Sequence, residues 1–217
     1  MRLAAWISVV LFASSAFSQT PTQLKTHGAD AIWEPPDWMI PENVKPTVPK
    51  ELLSTIRVSN FEIVLEKTSM EDVQRHLGGQ FGRRGDASEG LRWLCFHGAD
   101  AVGAWVLWLE DNEIDGSSIG SFQWQRLNKH GDFDSRCHTL GKATVELPSS
   151  LRLGARLSEV LKSLGPPSSK EGEKLIYFHQ HEAGGTRDDP FISSNTVVVH
   201  SRNGRVWKIQ ASKTTSD

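Results

Sequence analysis

The chain has 217 residues, with 24 lysines and arginines against 26 aspartates and glutamates and a formal net charge of −2. This balance leaves no cationic excess to hold a phosphate backbone or an anionic bilayer, which sets aside nucleic acid and membrane surfaces as partners. The length is enough for one medium domain or two small ones with modest cores.

Residues 1–18 read as a signal peptide. Arg2 supplies the early positive charge, Leu3 to Phe17 is apolar, and Ala16 and Ser18 are the small residues a signal peptidase reads, with cleavage expected before Gln19. The apolar run is shorter than the roughly 20 residues of a spanning helix, and no cysteine stands at the cleavage point to carry a lipid. An exported protein is expected, periplasmic or extracellular, with no transmembrane segment after signal removal. Residues 19–50 form a proline-rich N-terminal arm, in which Pro21, Pro35, Pro36, Pro41, Pro46 and Pro49 interrupt any helix or strand ladder. Trp33 and Trp38 are the residues expected to pin this arm to the body.

The body divides into residues 51–140 and 141–217. In the first part Phe61 to Lys67 alternates as a strand. Met70, Val73 and Leu77 then make the inward stripe of a helix capped by Thr68 or Ser69, with Glu71 and Asp72 in its first turn. The glycine-rich stretch from Gly78 to Gly90 follows a helix and precedes a strand, the reverse of a phosphate cradle, and is expected to be a connection. In the second part Leu157, Val160, Leu161 and Leu164 form an apolar stripe that Gly165-Pro166-Pro167 ends. Strands follow from Leu175, Val197 and Arg205, the last two joined by an Asn203-Gly204 turn. Setting Leu77-Gly78 on Leu164-Gly165 brings Met70 onto Leu157 and Val73 onto Val160, and places Cys95-Phe96-His97 beside Tyr177-Phe178-His179. The expected fold class is α+β, as two tandem repeats of short helices packed on an antiparallel β-sheet.

Strand alternation then sorts the side chains. If Leu94 and Phe96 face the helix, as Ile176 and Phe178 would in the second copy, then Trp93, Cys95 and His97 point away, with Leu175, Tyr177, His179 and His181. Phe122, Trp124, Trp207 and Ile209 are expected in the core. Ala101 to Leu109 is apolar on both faces, so one of Trp105 and Trp108 also lies away from the helix. Trp93, Tyr177 and that tryptophan are the candidate anchor points for a partner, unless the other repeat or the arm covers them. Cys95 and Cys137 are the two cysteines, and a pair in an exported chain is expected to form a disulfide.

The helix ending SEVLKSLGPP, the strand carrying Tyr177 and the hairpin closing as RNGRVWKI resemble the repeated unit of the β-lactamase-inhibitor-protein-like fold. A single copy of that unit is similar to the small lipoprotein of the outer-membrane β-barrel assembly machine. The resemblance covers roughly Asn60 to Ile209, without the lipid-bearing cysteine. It implies a protein that acts by binding proteins across a sheet face, with no catalytic position in the motif.

No nucleophile elbow, HExxH or dinucleotide fingerprint is present in the sequence. The strongest chemical cluster is His179, His181 and His200, which on one sheet face would hold zinc with an open fourth position. The expected function is an exported protein-binding or inhibitory module without catalytic activity or cofactor, engaging another exported or envelope protein. The alternatives are a zinc-dependent hydrolase using the three histidines and a structural envelope component.

Overall fold

The computed structural model describes residues 31–37, 43–85, 90–111, 117–127, 132–148, 151–186 and 190–216. The expected signal peptide at 1–18, the arm up to residue 30 and Trp38 lie outside the described residues. In chain order the elements are β1 (Thr55–Val58), β2 (Phe61–Val64), α1 (Met70–Leu77), β3 (Phe81–Arg84), β4 (Leu91–Asp100), β5 (Gly103–Asp111) and β6 (Ile119–Arg126). They continue with β7 (His138–Gly141), β8 (Val145–Glu146), α2 (Leu157–Leu164), β9 (Ser169–Glu171), β10 (Lys174–Gly185), β11 (Pro190–Arg202) and β12 (Arg205–Ser216).

The main sheet has the order β3-β4-β5-β6-β12-β11-β10-β9, with β7 added in parallel beside β4, and a small sheet has the order β2-β1-β8. The expected α+β pair of helix-on-sheet repeats does not form. Antiparallel pairing of β6 with β12 joins the strands of both halves into one continuous sheet, and each helix is only eight residues long. The fold is predominantly β. An eight-residue helix spans about 12 Å, far less than the twelve or thirteen residues of β10, β11 and β12. The small sheet and the chain leading into it cover the rest: Ile56, Val58 and Ile63 join Val73, Val160, Leu107, Leu109, Phe122 and Ile209 in one core.

The helix ends follow local chemistry. Ser69 Oγ accepts from the Asp72 N–H at 3.0 Å, and α1 and α2 stop at Gly78 and Gly165, whose φ of 80° and 82° favour glycine. Val160 is buried, Leu157 and Leu164 pack partly against the core, and Leu161 is exposed. Asn203 and Gly204 both take positive φ, 52° and 70°, as a two-residue hairpin turn requires.

The assignment of faces holds for β4 and fails for β10. Leu94 and Phe96 face the helices. In β10, however, Leu175 lies opposite Val199 and Tyr177 opposite Val197, and directly paired residues share a face. Leu175 and Tyr177 therefore point toward the helices, and Ile176 and Phe178 point away. The equivalent of Phe96 is Tyr177 and not Phe178; a one-residue slip inverts every side chain of a strand. Trp207 is likewise not in the core with Ile209, because the register shifts between His200 and Ser201 and Trp207 falls in the irregularity.

The glycine-rich connection contains an edge strand, β3, beyond which residues 86–89 lie outside the described residues. Its Gly82 lies opposite Trp93, whose indole rests on it: a Cβ there would stand 2.1 Å from Trp93 Cε2. Trp93 is fully buried, so the ring has nowhere to move. Gly82→Ala should cost about 2 kcal/mol, in the range for overpacking, measured by thermal and urea unfolding. Unchanged stability would mean that the indole does not occupy this position.

Candidate functional site

The β3–β6 part of the sheet face away from the helices is covered by the chain itself. Residues 31–37 cross it as a strap. Its start is tied to the loop before β7, where the Ile32 N–H donates to Asp132 O at 2.8 Å and the Asp134 N–H donates to Ile32 O at 3.2 Å. Trp33 then packs on Trp93 with ring centroids 5.7 Å apart, and Arg136 lies over its ring at 4.5 Å. The strap's carbonyls receive side-chain donors from the sheet. Trp108 Nε1–H donates to Trp33 O at 3.0 Å, Arg84 to Pro35 O at 3.3 Å, and Gln123 Nε2 to Pro36 O at 2.7 Å. Arg84 also pairs with Asp37. By Val48 the chain has reached the β10 edge, where the Val48 N–H donates to Phe178 O.

From Gln123 beneath the strap a hydrogen-bonded row runs across four strands. Gln123 Nε2 donates to Glu110 Oε1 at 2.7 Å, Gln210 Nε2 donates to Gln123 Oε1 at 2.9 Å, and His200 Nε2 lies 2.6 Å from Gln210 Oε1. The direction of the row is forced. A main-chain carbonyl only accepts, so Gln123 must turn its amide nitrogen to Pro36 and Glu110 and its oxygen to Gln210. Gln210 then presents its own oxygen to His200, which must donate from Nε2, leaving Nδ1 of the neutral ring as an acceptor.

Three members of this neighbourhood have displaced acidities. Burial pushes the Glu110 carboxyl up to about 7, against the opposing pull of hydrogen bonds from Gln123 and Ser121 and the charges of Arg84 and Lys208. Burial brings the Lys208 ammonium down to about 8, opposed by Glu110. His200 is lowered by burial first and then by Lys208 and Lys174, while its bond to Gln210 acts the other way. The His200 end of the row opens into a groove of about 270 Å³. Trp207 lines it beside Lys174, Glu171 and Glu173, with Arg202 over the Trp207 ring at 4.8 Å.

The four candidate anchor residues are all buried. Trp93 and Trp108 lie on the covered face, in a small core with Trp33, Cys95, Val106 and Cys137. Trp105 and Tyr177 lie on the helix side. The Tyr177 hydroxyl donates to Gly165 O at 3.4 Å, and burial pushes it up to about 12. They form no exposed aromatic surface: the strap, anchored by Trp33 as expected, covers Trp93 and Trp108, and the helix-side core encloses Trp105 and Tyr177. Cys95 and Cys137 stand at disulfide distance, with Cα atoms 4.6 Å apart, and hold the loop that ties down the strap.

The three histidines are not brought together. His200 lies opposite Lys174, five residues before His179, which lies opposite Asn195; the slip in β10 also puts His179 and His200 on opposite faces. His179 and His181 stack at 5.1 Å, and His179 Nδ1 bonds to Val48 O. Among the described residues no group of three or more histidine, cysteine or carboxylate side chains is placed to hold a metal ion, and no helix is long and apolar enough to cross a membrane.

No protein-family model, curated protein or solved structure matches this chain. Glu110, Gln123 and Gln210, the members of the row that sequence reading did not single out, have no motif to announce them. Their one trace in the sequence is a glutamine beside an inward aromatic or isoleucine, in Phe122-Gln123-Trp124 and Ile209-Gln210.

The raised Glu110 acidity sets a pH dependence. The folded chain holds this proton up to about pH 7 and the unfolded chain releases it near the ordinary 4.5. Its contribution is therefore full below pH 4.5 and is lost as pH rises through 7, by about 3 kcal/mol at most. Lys208 acts oppositely: its penalty is relieved as pH rises from about 8 toward 10.5. Subtracting the urea-unfolding free energies of Glu110→Gln from those of wild type across pH 4–10 should isolate a decline confined to pH 4.5–7. A flat difference would show that Glu110 titrates normally.

Proposed function

We propose that the chain is an exported protein-binding module without catalytic activity, engaging another exported or envelope protein through the sheet face opposite the helices. The observation that carries this reading is the way that face already holds a peptide segment. Trp108, Arg84 and Gln123 come from three strands and donate to three carbonyls of the strap. Side chains that read main-chain oxygens are recognition groups for an extended chain, whichever molecule supplies it. The placement of Glu110, only 4% exposed and behind Gln123, favours binding over chemistry, since a substrate would have to pass the strap to reach it. The resemblance of α2 and the closing hairpin to a fold whose members bind proteins across a sheet supports the same reading.

Export is supported by the apolar segment after Arg2 and by the cysteine pair. A bridge closing a separation of 42 residues contributes about 4 kcal/mol in the chain-entropy description. Mass spectrometry of protein recovered without reductant should find Cys95 linked to Cys137. Two free thiols in that material would remove the oxidising-compartment assignment.

The binding reading is tested with a photo-cross-linking residue at Gln125, half-buried on the strap side of the sheet, and at Lys162, exposed on α2. A discrete product with one exported protein is expected from position 125 and not from 162. The same product from both positions, or none from 125, would place the partner elsewhere.

A further inference from the structure

We infer that the partner presents an extended, proline-containing segment, and that residues Trp33 to Asp37 are the intramolecular occupant of the site it takes. This rests on the binding reading above and assigns its ligand chemistry.

The strap shows what the site accepts. Trp33 and Pro35 are buried while Glu34, Pro36 and Asp37 are exposed, so ring side chains two residues apart enter the face, as in an extended chain. The face meets the carbonyls of residues 33, 35 and 36 with the Trp108 indole, the Arg84 guanidinium and the Gln123 amide nitrogen. The first two groups can only donate, and the Gln123 amide is held with its nitrogen toward the strap by the row behind it.

A Pro-Pro segment is the natural complement of such a surface. Its residues offer carbonyl acceptors and no N–H, whereas an ordinary residue in the place of buried Pro35 would bring a further donor to a face whose groups here are donors, at the cost of leaving it unpaired. Aromatic-lined faces that take polyproline-like chains work on this principle, using the low entropy of the preformed chain. Arg84 extends the pattern by pairing with Asp37, so an acidic residue directly after the prolines is favoured. Among the described residues, Trp33 to Asp37 make no backbone-to-backbone hydrogen bond to the sheet. The strap is held by side chains, and a competing segment can replace it without dismantling strand pairing.

The test uses the full chain carrying Trp33→Ala and Asp37→Ala, which weaken the strap and leave the sheet's donors in place. The probe is a capped, labelled peptide of residues 31–37, Ala-Ile-Trp-Glu-Pro-Pro-Asp, read by fluorescence anisotropy. Binding to the variant should be at least tenfold tighter than to wild type. It should fall at least tenfold when both peptide prolines are alanine, and again when Arg84→Ala is added to the protein. Equal binding of the proline and alanine peptides, or no binding by a folded variant, overturns the inference. Should the double variant fail to fold by near-ultraviolet circular dichroism, Asp37→Ala alone, a change at an exposed side chain, gives the same comparison. Concentration-dependent dimers of the variant that the peptide dissolves would assign the face to a second copy's arm and overturn the partner. Loss of proline preference with the Gln125 cross-link intact refutes the ligand chemistry alone, whereas loss of that cross-link refutes the binding reading beneath it.

Discussion

Both faces of the molecule depend on the pairing of β6 with β12, from Lys208 opposite Gln125 to Ser212 opposite Ser121. On the helix side it sets Ile209 against Trp124 and Ala211 against Phe122, so the two halves of the chain share one core. On the other side the same register sets Gln210 against Gln123. A slip of β12 by one residue against β6 would turn Gln210 toward the apolar core and send Ile209 to the opposite face. Burial of an unpaired amide costs on the order of 1–3 kcal/mol, so the register is specified from both sides at once.

The polar row is the consequence of laying a chain segment over a face that strand alternation would leave to water. Once covered, each amide must find partners within the protein. Gln123 spends two donors on Pro36 and Glu110 and its acceptor on Gln210. Gln210 donates to Gln123 and accepts from His200. The strap carbonyl thereby fixes the tautomer of a histidine three side chains away, at the rim of the groove. A row connected in this way has one arrangement, which is why polar groups beneath a cover can fix the position of the cover.

What the sequence discloses is mostly local. The Ser69 cap, the glycine stops at Gly78 and Gly165, the Asn203-Gly204 turn and the inward placing of Leu94, Phe96, Phe122 and Ile209 all follow from neighbours within a few residues. The fold class did not follow, because nothing near Phe122 or Ile209 says that their strands, 87 residues apart at Gln123 and Gln210, will pair. The slip in β10 has a similar cause. Both Tyr177 and Phe178 are large and apolar enough to face a core, and only the register with Val197 decides between them. The histidine cluster failed for the same reason, since composition places three imidazoles on two strands and pairing separates them. Gln123 was illegible for a different reason: a glutamine alternating with core aromatics is what a solvated strand face looks like, and only a strap from 87 residues upstream makes it interior.

The strap and the Glu110 proton are linked through the amide they share. Burial is the largest contribution to the raised Glu110 acidity, and Gln123 stands between that carboxyl and the strap. If Pro36 leaves, the freed N–H of Gln123 requires water, and water beside Glu110 restores part of the solvation that burial removed. The carboxylate then gains over the acid, helped by Arg84 on β3, which loses Asp37 when the strap departs, and by Lys208 on β12. Ser121 and Gln123 on β6 still donate to it. On the reading that a partner displaces the strap, opening the face would release protons, and by reciprocity a higher pH would favour the open face. A segment that seats as the strap does, with a carbonyl on Gln123, restores the dry environment and takes the proton back. An occupant without that carbonyl leaves the carboxyl wet. If a ligand exchanges with the strap as proposed, the proton count of that exchange would report whether it reproduces the Pro36 contact, independently of how tightly it binds.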